Sequence, residues 1–180
     1  MAARDHPTTE RETPLPRPGT VPRMGMYLVD VRPGNWEYAT QLDRALSERG
    51  LGAYPGPSQE GADRFEEKLS PPMDGFADLC ERHGATDVLE AALFVPVPFD
   101  GLITLPVGNA YDDERTVVLS SHRLRDLVAP LVADVRLPSP LPRGPLALVT
   151  GIDDPVAFYV AMYRQSAEHS LRHGCPLTYI

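Results

Sequence analysis

The chain has few of the residues on which secreted scaffolds and membrane proteins depend. It contains only two cysteines in 180 residues, too few for a fold held together by disulfides. No apolar run reaches the roughly 18 to 20 residues that cross a bilayer. The N-terminus also lacks the basic and then apolar pattern of a secretory signal. We therefore expect a cytoplasmic protein that does not associate with membranes.

Motifs for common catalytic and nucleotide-binding sites are missing as well. Neither G-x-x-x-x-G-K-[ST] nor G-x-G-x-x-G occurs, and there is no G-x-S-x-G nucleophile motif. Carboxylates are adjacent at Asp112-Asp113-Glu114 and at Asp153-Asp154. A loop triplet is usually a solvated turn, however, and Asp154 is placed to cap a helix. No intact catalytic motif therefore supports an enzyme.

Acidic residues are in excess, and the excess is concentrated in one part of the chain. The net charge is −8, and residues 25–100 hold 14 acidic residues against six basic ones. A field of this sign repels the phosphates of nucleic acids and favours a basic partner. We expect a protein partner, or a second copy of the chain, and no binding to nucleic acid.

The distribution of prolines and apolar residues predicts a single α+β domain. The 20 prolines argue against a helical bundle. Residues 1–23 hold five prolines without apolar periodicity, which predicts a disordered N-terminal tail. Residues 24–180 are then expected to form one globular domain.

Local patterns predict a mixed sheet of about five or six strands with helices packed on it. Asp100-Gly101 predicts a β-hairpin between two strands, and nearby prolines place at least one of these strands at an edge. The C-terminal segments predict a β-α-β unit. Strands are expected at 26–31, 93–99, 102–107, 116–120, 146–150 and 176–180, and helices at 35–49, 65–69, 74–83, 87–90, 121–132 and 154–173.

Cysteines and histidines near two predicted helix ends form the sharpest candidate for chemistry. Cys80 and His83 lie one turn apart on one helix, and His169 and His173 lie one turn apart on another. Zinc takes four such ligands, and histidines at i and i+4 can bind one ion. If the two helices are neighbours, these four residues form a zinc site. Each of His83 and His173 also precedes a glycine, so helix capping explains them equally well. No other cofactor is predicted.

A cysteine nucleophile is a weaker candidate. A reactive thiolate needs a helix N-terminus or a neighbouring cation. Cys175 instead follows a helix C-terminus, and Cys80 shares an apolar stripe with Phe76 and Leu79. Neither cysteine is therefore expected to be activated.

Three aromatic residues are candidates for partner recognition. Trp36 and Tyr38 lie near the start of the first predicted helix, and Tyr54 lies in the following loop. Tyrosine and tryptophan are enriched in binding hot spots, although core packing is their ordinary use. The sequence therefore favours a non-catalytic interaction module of accessory, regulatory or immunity type, whose acidic region 25–100 binds a basic protein. The alternative is a small enzyme or metal-binding protein that uses the cysteines and histidines.

Overall fold

The described residues form a mixed six-stranded β-sheet with helices packed on it, which confirms the predicted α+β class. The computed structural model describes residues 26–57, 64–142, 145–146 and 152–180, so the predicted tail lies outside the described residues. The strands are β1 (Tyr27–Asp30), β2 (Glu66–Lys68), β3 (Leu93–Val95), β4 (Leu102–Leu105), β5 (Thr116–Ser120) and β6 (Leu177–Tyr179). Their order across the sheet is β2-β1-β6-β3-β5-β4.

Helices cover both faces of the sheet. Those in the described residues are α1 (Ala39–Glu48), α2 (Asp74–His83), α3 (Asp87–Glu90), α4 (Ser121–Val128) and α5 (Pro155–His173). Alternate side chains of a strand point to opposite faces. Phe94 therefore packs in the first core, which lies beneath α2, α4 and α5, whereas Leu93 and Val95 pack in a second core beneath α1. None of the described helices is long and apolar enough to cross a bilayer.

The predicted hairpin between β3 and β4 is wrong. Strand β5 lies between them and pairs in parallel with β3 and antiparallel with β4. Gly101 does adopt the positive φ expected at this turn, +69°. The turn residues determine the local backbone conformation but not which strand pairs with which. The largely buried strand β5 lies between β3 and β4 in the sheet. Strand β4 lies at the edge of the sheet, which agrees with the expectation that at least one of the two strands does, whereas β3 is interior.

Three local assignments also differ from the prediction. The first helix begins at Ala39 and not at Asn35, because Pro33–Asn35 form a separate 3₁₀ turn. The segment predicted as a helix at 65–69 contains strand β2, which pairs with β1 and alternates exposed and buried side chains. The helix predicted at 121–132 ends at Val128, and Ala129–Asp134 continue as a 3₁₀ helix.

The chain ends in a long helix followed by a strand, as predicted. The Asp154 carboxylate caps α5 by accepting a hydrogen bond from the Val156 N–H at 3.0 Å. Gly174 ends the helix with a φ of +59°. Strand β6 runs antiparallel to both β1 and β3. The first strand of the predicted β-α-β unit, at 146–150, lies outside the described residues except for Leu146, which is not in a strand.

The strand directions create two chemically different ends of the sheet. At one end β6 finishes and β1, β3 and β5 begin. We call it the tyrosine end, because β6 finishes there at Tyr179. At the opposite end β1 finishes at Asp30 and β6 begins just after Cys175. We call this the cysteine end.

Candidate binding pocket and the predicted site residues

A cavity of about 290 Å³ opens at the tyrosine end of the sheet. Apolar and aromatic side chains predominate in its walls, and a few polar groups lie among them. This composition is typical of ligand pockets in proteins. The lining residues are Met26, Leu69, Met73, Leu89, Glu90, Ala91, Ala92, Asn109, Tyr111, Asp112, Arg115, Val117, Tyr163 and Tyr179.

Two tyrosines join the pocket to the first core. The hydroxyls of Tyr163 and Tyr179 are hydrogen-bonded at 2.6 Å. The Tyr163 ring is stacked on Phe76, with ring centroids 5.2 Å apart. Burial raises the pKa of both hydroxyls above their ordinary value. Both tyrosines therefore stay neutral and present a rigid aromatic wall to the pocket.

A third tyrosine stands at the pocket mouth on a well-ordered loop. Tyr111 is 51 % exposed, and its ring makes an edge contact with Tyr179 at 5.9 Å between centroids. The Asn109 side-chain oxygen accepts the Tyr111 N–H at 2.8 Å, and its amide nitrogen donates to the Arg115 carbonyl at 2.7 Å. These two hydrogen bonds hold the loop backbone around Tyr111 in a defined shape.

The carboxylate of Asp112 stabilises the same loop. It accepts the backbone N–H groups of Glu114 at 2.9 Å and Arg115 at 3.1 Å, and it forms an ion pair with the Arg115 side chain at 3.0 Å. The Glu114 N–H is the main reason why the pKa of Asp112 lies below its ordinary value. Asp112 thus organises a turn, and its charge is balanced by Arg115.

Replacing Gly108 with alanine is expected to disrupt this loop. A Cβ atom at Gly108 would lie 2.6 Å from the Asp113 carbonyl oxygen, which belongs to the backbone and cannot move away easily. We expect the free energy of unfolding to fall by about 1–3 kcal/mol, as for other overpacked sites. Chemical denaturation followed by circular dichroism measures the change.

The matched control is Gly34→Ala. A Cβ atom at Gly34 would meet no atom within 4 Å, and neither glycine has a positive φ. The control is expected to change the free energy of unfolding by less than about 0.5 kcal/mol. Equal effects of the two substitutions would show that the loop is not closely packed.

The pocket rim carries negative charge that the described residues do not neutralise. Glu90 lines the pocket, is exposed and has no ion-pair partner in the described part of the chain. Arg115, the basic residue of the lining, is already paired with Asp112. The acidic residue Asp74 directly follows the lining residue Met73. Lys68, which directly precedes the lining residue Leu69, is likewise exposed and has no ion-pair partner in the described part of the chain, so the unpaired charge of the lining itself is that of Glu90.

Helix α2 extends this negative surface away from the pocket. Asp74, Asp78 and Glu81 are spaced by four and three residues, so they lie on one face of the helix. All three are exposed, and none has an ion-pair partner in the residues that the structure describes. We call Glu90 together with these three residues the acidic surface.

The three aromatic residues predicted to bind a partner form one cluster. The Trp36 ring contacts Tyr38 and Tyr54 edge-on, with centroids 5.7 and 5.5 Å apart. The Tyr54 hydroxyl donates to the Gly174 carbonyl at 2.7 Å. Tyr38 and Tyr54 are buried in the second core, so only Trp36 is partly open to solvent. Binding by this cluster stays a prediction, and its contact surface is limited to Trp36.

The four predicted zinc ligands occupy two separate environments. Cys80 is buried in the first core, and His83 Nε2 lies 2.9 Å from Asp134 Oδ2, a contact that lowers the pKa of Asp134. The rings of His169 and His173 lie 4.6 Å apart. The structure thus brings the two C-terminal histidines together but does not gather all four residues into one ligand cluster within the described chain.

A different group of potential ligands meets at the cysteine end. Asp30, His169 and Cys175 place their ligand atoms within 4.8 Å of one another, and they are the only such group in the described residues. Burial raises the pKa of Cys175 to about 11 and lowers that of His169 to about 4. An activated nucleophile needs the opposite shifts, towards a thiolate and an imidazolium. The group therefore lacks the protonation states of a Cys–His nucleophile.

Both thiols are expected to be unreactive in the native protein at neutral pH. Burial raises the pKa of Cys80, like that of Cys175, to about 11, so only roughly one part in ten thousand of each is a thiolate at pH 7. A chromogenic disulfide reagent should label neither cysteine rapidly before unfolding and both in denaturant. Rapid labelling of Cys175 in the folded protein would restore the nucleophile hypothesis.

The tyrosines of the pocket were not among the residues that the sequence singled out. Tyr163 lies on the apolar stripe of a helix and Tyr179 in a final apolar strand, so both patterns indicate core packing. Tyr111 lies in a polar loop, where sequence alone does not show what it contacts. Comparison of the chain with protein-family models, with curated proteins and with solved structures found no match.

Proposed function

We propose that the protein is a non-catalytic interaction module that binds a basic protein segment, one apolar side chain of which inserts into the tyrosine-end pocket. The observation that carries this proposal is the position of the aromatic cavity beside the exposed carboxylate of Glu90, from which the acidic surface continues along α2. An apolar anchor in a pocket surrounded by charged contacts is a common arrangement in protein recognition. The acidic region 25–100 supplies half of the lining residues and the whole acidic surface.

The composition of the cavity suits an apolar side chain. Its volume of about 290 Å³ lies at the lower limit of the range of about 300–1,000 Å³ that is typical of pockets for drug-sized ligands. Its aromatic rings and the thioethers of Met26 and Met73 suit a flexible apolar group such as leucine, methionine or phenylalanine. The polar groups of the lining lie on the loop and at Glu90. The rest of the partner would therefore lie across the acidic surface.

The negative charge gives the site a preference among partners. A basic segment would be attracted towards Glu90 and α2, whereas an acidic segment or a phosphate backbone would be repelled. A second copy of this chain, which is itself acidic, is the less favoured occupant. Both cysteines are free thiols, which suits a reducing compartment, and we place the interaction in the cytoplasm.

The location of binding can be tested with designed peptides. The probe carries a central leucine flanked by arginines, and the control peptide has glutamates in place of the arginines. We expect the basic probe to shift backbone amide resonances of Tyr111, Tyr179 and Glu90 in nuclear magnetic resonance spectra, with a Kd of about 1 mM or tighter. Shifts confined to other surfaces, or equal shifts with both peptides, would contradict the proposed function.

A further inference from the structure

We propose that Asp30, His169 and Cys175 bind a divalent transition metal, with zinc as the expected ion. The site lies at the cysteine end of the sheet, opposite the pocket, and is independent of the proposed function. It shares only His169 with the four ligands that the sequence predicts.

The three side chains of the proposed metal site come from three different parts of the fold. Asp30 is the last residue of β1, and His169 lies in the final turns of α5. The left-handed Gly174 turns the chain out of α5 and so brings Cys175 back towards the helix. Ser170 then fixes that position, because its carbonyl accepts the Cys175 N–H and its hydroxyl donates to the Cys175 carbonyl.

The spacing of the ligand atoms is close to that of a tetrahedral site. Zinc bonds of about 2.0–2.3 Å place neighbouring ligand atoms about 3.3–3.8 Å apart. The ligand atoms of Asp30, His169 and Cys175 already lie within 4.8 Å of one another. Side-chain adjustments of about 1 Å would therefore close the site. Three protein ligands leave the fourth position for water.

The chemistry of the donors selects the kind of metal. A thiolate and an imidazole favour zinc and related transition metals, whereas magnesium and calcium require oxygen ligands. The carboxylate and the thiolate together balance the charge of a divalent ion. His169 Nε2 is buried and has no hydrogen-bond partner in the described part of the chain. Burying a ring nitrogen without a hydrogen-bond partner lowers the stability of the fold, and a metal bound through this nitrogen would remove that cost.

One of the three ligands, Asp30, also contacts a neighbouring side chain. Arg32 forms an ion pair with Asp30, with Arg32 Nη2 lying 3.3 Å from Asp30 Oδ2. Second contacts of this kind orient metal ligands in proteins. The metal itself would displace the proton of Cys175.

Cobalt(II) provides a direct spectroscopic test with the full-length protein. After treatment with a chelator and its removal, cobalt(II) is added and a thiolate-to-cobalt charge-transfer band is sought in the near ultraviolet. We expect one equivalent of cobalt(II) to bind and to produce this band. Zinc should displace the cobalt, so the band should disappear. Zinc should also raise the melting temperature of the wild-type protein, because a ligand that binds only the folded state stabilises it.

Cysteine variants identify which thiol is the ligand. Cys175→Ser and Cys175→Ala are expected to abolish the band and to weaken zinc binding by more than about 100-fold, since changes to second-shell groups alone cost 10–100-fold. Cys80→Ser removes the other buried thiol and is the matched control, which should keep the band. Circular dichroism of each variant confirms that it is folded.

Two further results would overturn or support the assignment. A folded wild-type protein that gives no charge-transfer band and no zinc-dependent change in melting temperature overturns it. A band that survives in the Cys175 variants but disappears in Cys80→Ser also overturns it and supports the ligands predicted from sequence. Weaker zinc binding by Asp30→Asn, with the band retained, supports the carboxylate as a third ligand.

Discussion

Replacing Tyr163 with alanine is expected to lower the free energy of unfolding by about 3–5 kcal/mol, the usual cost of removing a large aromatic side chain from a core. Tyr163 is 1 % exposed, and it contacts Phe76 and Phe94 with centroids 5.2 and 6.1 Å away. Its hydroxyl is bonded to that of Tyr179. The substitution would therefore leave a cavity in the first core, remove two aromatic contacts and leave the Tyr179 hydroxyl without this partner.

Denaturation by guanidinium chloride, followed by circular dichroism, measures this effect. Tyr163→Phe keeps the ring and removes only the hydroxyl, so it should cost about 1 kcal/mol. Tyr111→Ala removes a tyrosine that is 51 % exposed and should cost less than about 0.5 kcal/mol. A Tyr163→Ala protein as stable as the Tyr111→Ala protein would show that the pocket wall is not part of the core.

The same exposed tyrosine should dominate binding to the pocket. We expect Tyr111→Ala to weaken binding of the basic leucine peptide by about 30-fold, because removing an aromatic hot-spot residue typically costs about 2 kcal/mol. Tyr111 is held by its loop in contact with Tyr179 at the pocket mouth. Its loss would remove apolar contact area without changing the charge of the rim. Isothermal titration calorimetry or resonance shifts give the two Kd values.

Ile180→Ala is the matched control for this prediction. Ile180 is the other large apolar residue that is exposed in the described chain, at 64 %, and it does not line the pocket. Its substitution should leave the Kd unchanged within about twofold, as is usual for residues outside a hot spot. If both substitutions weaken binding equally, the peptide recognises exposed apolar surface in general and not this pocket.

Sequence patterns predicted most of the elements of this fold because those patterns are local. Strands β1, β5 and β6 and helices α2 and α5 follow from apolar periodicity and helix-end residues in their own segments. The pairing of β3 with β5 does not follow from local patterns, because it depends on which of the strands is most stable in an interior position of the sheet. The segment at 65–69 is a strand only because β1 offers it a partner.

The candidate sites were even harder to predict from local sequence patterns, because their residues come together only in the folded chain. Tyr111, Tyr163 and Tyr179 come from three different segments, and each segment taken alone indicates a loop or a core position. At the cysteine end, the sequence singled out His169 and placed Cys175 beside the same helix end. It gave no reason to add Asp30, which is 139 positions from His169 in the numbering and reaches the cluster because β1 pairs with β6.

The proposed preference for basic segments is tested most directly by the ratio of two Kd values. The basic leucine peptide and its glutamate counterpart are titrated into the wild-type protein at low ionic strength and again at high ionic strength. We expect the basic peptide to bind at least about tenfold more tightly at low ionic strength, and the ratio to fall as salt screens the acidic surface. A ratio close to one at low ionic strength, or a ratio that does not change with salt, would contradict recognition of a basic partner.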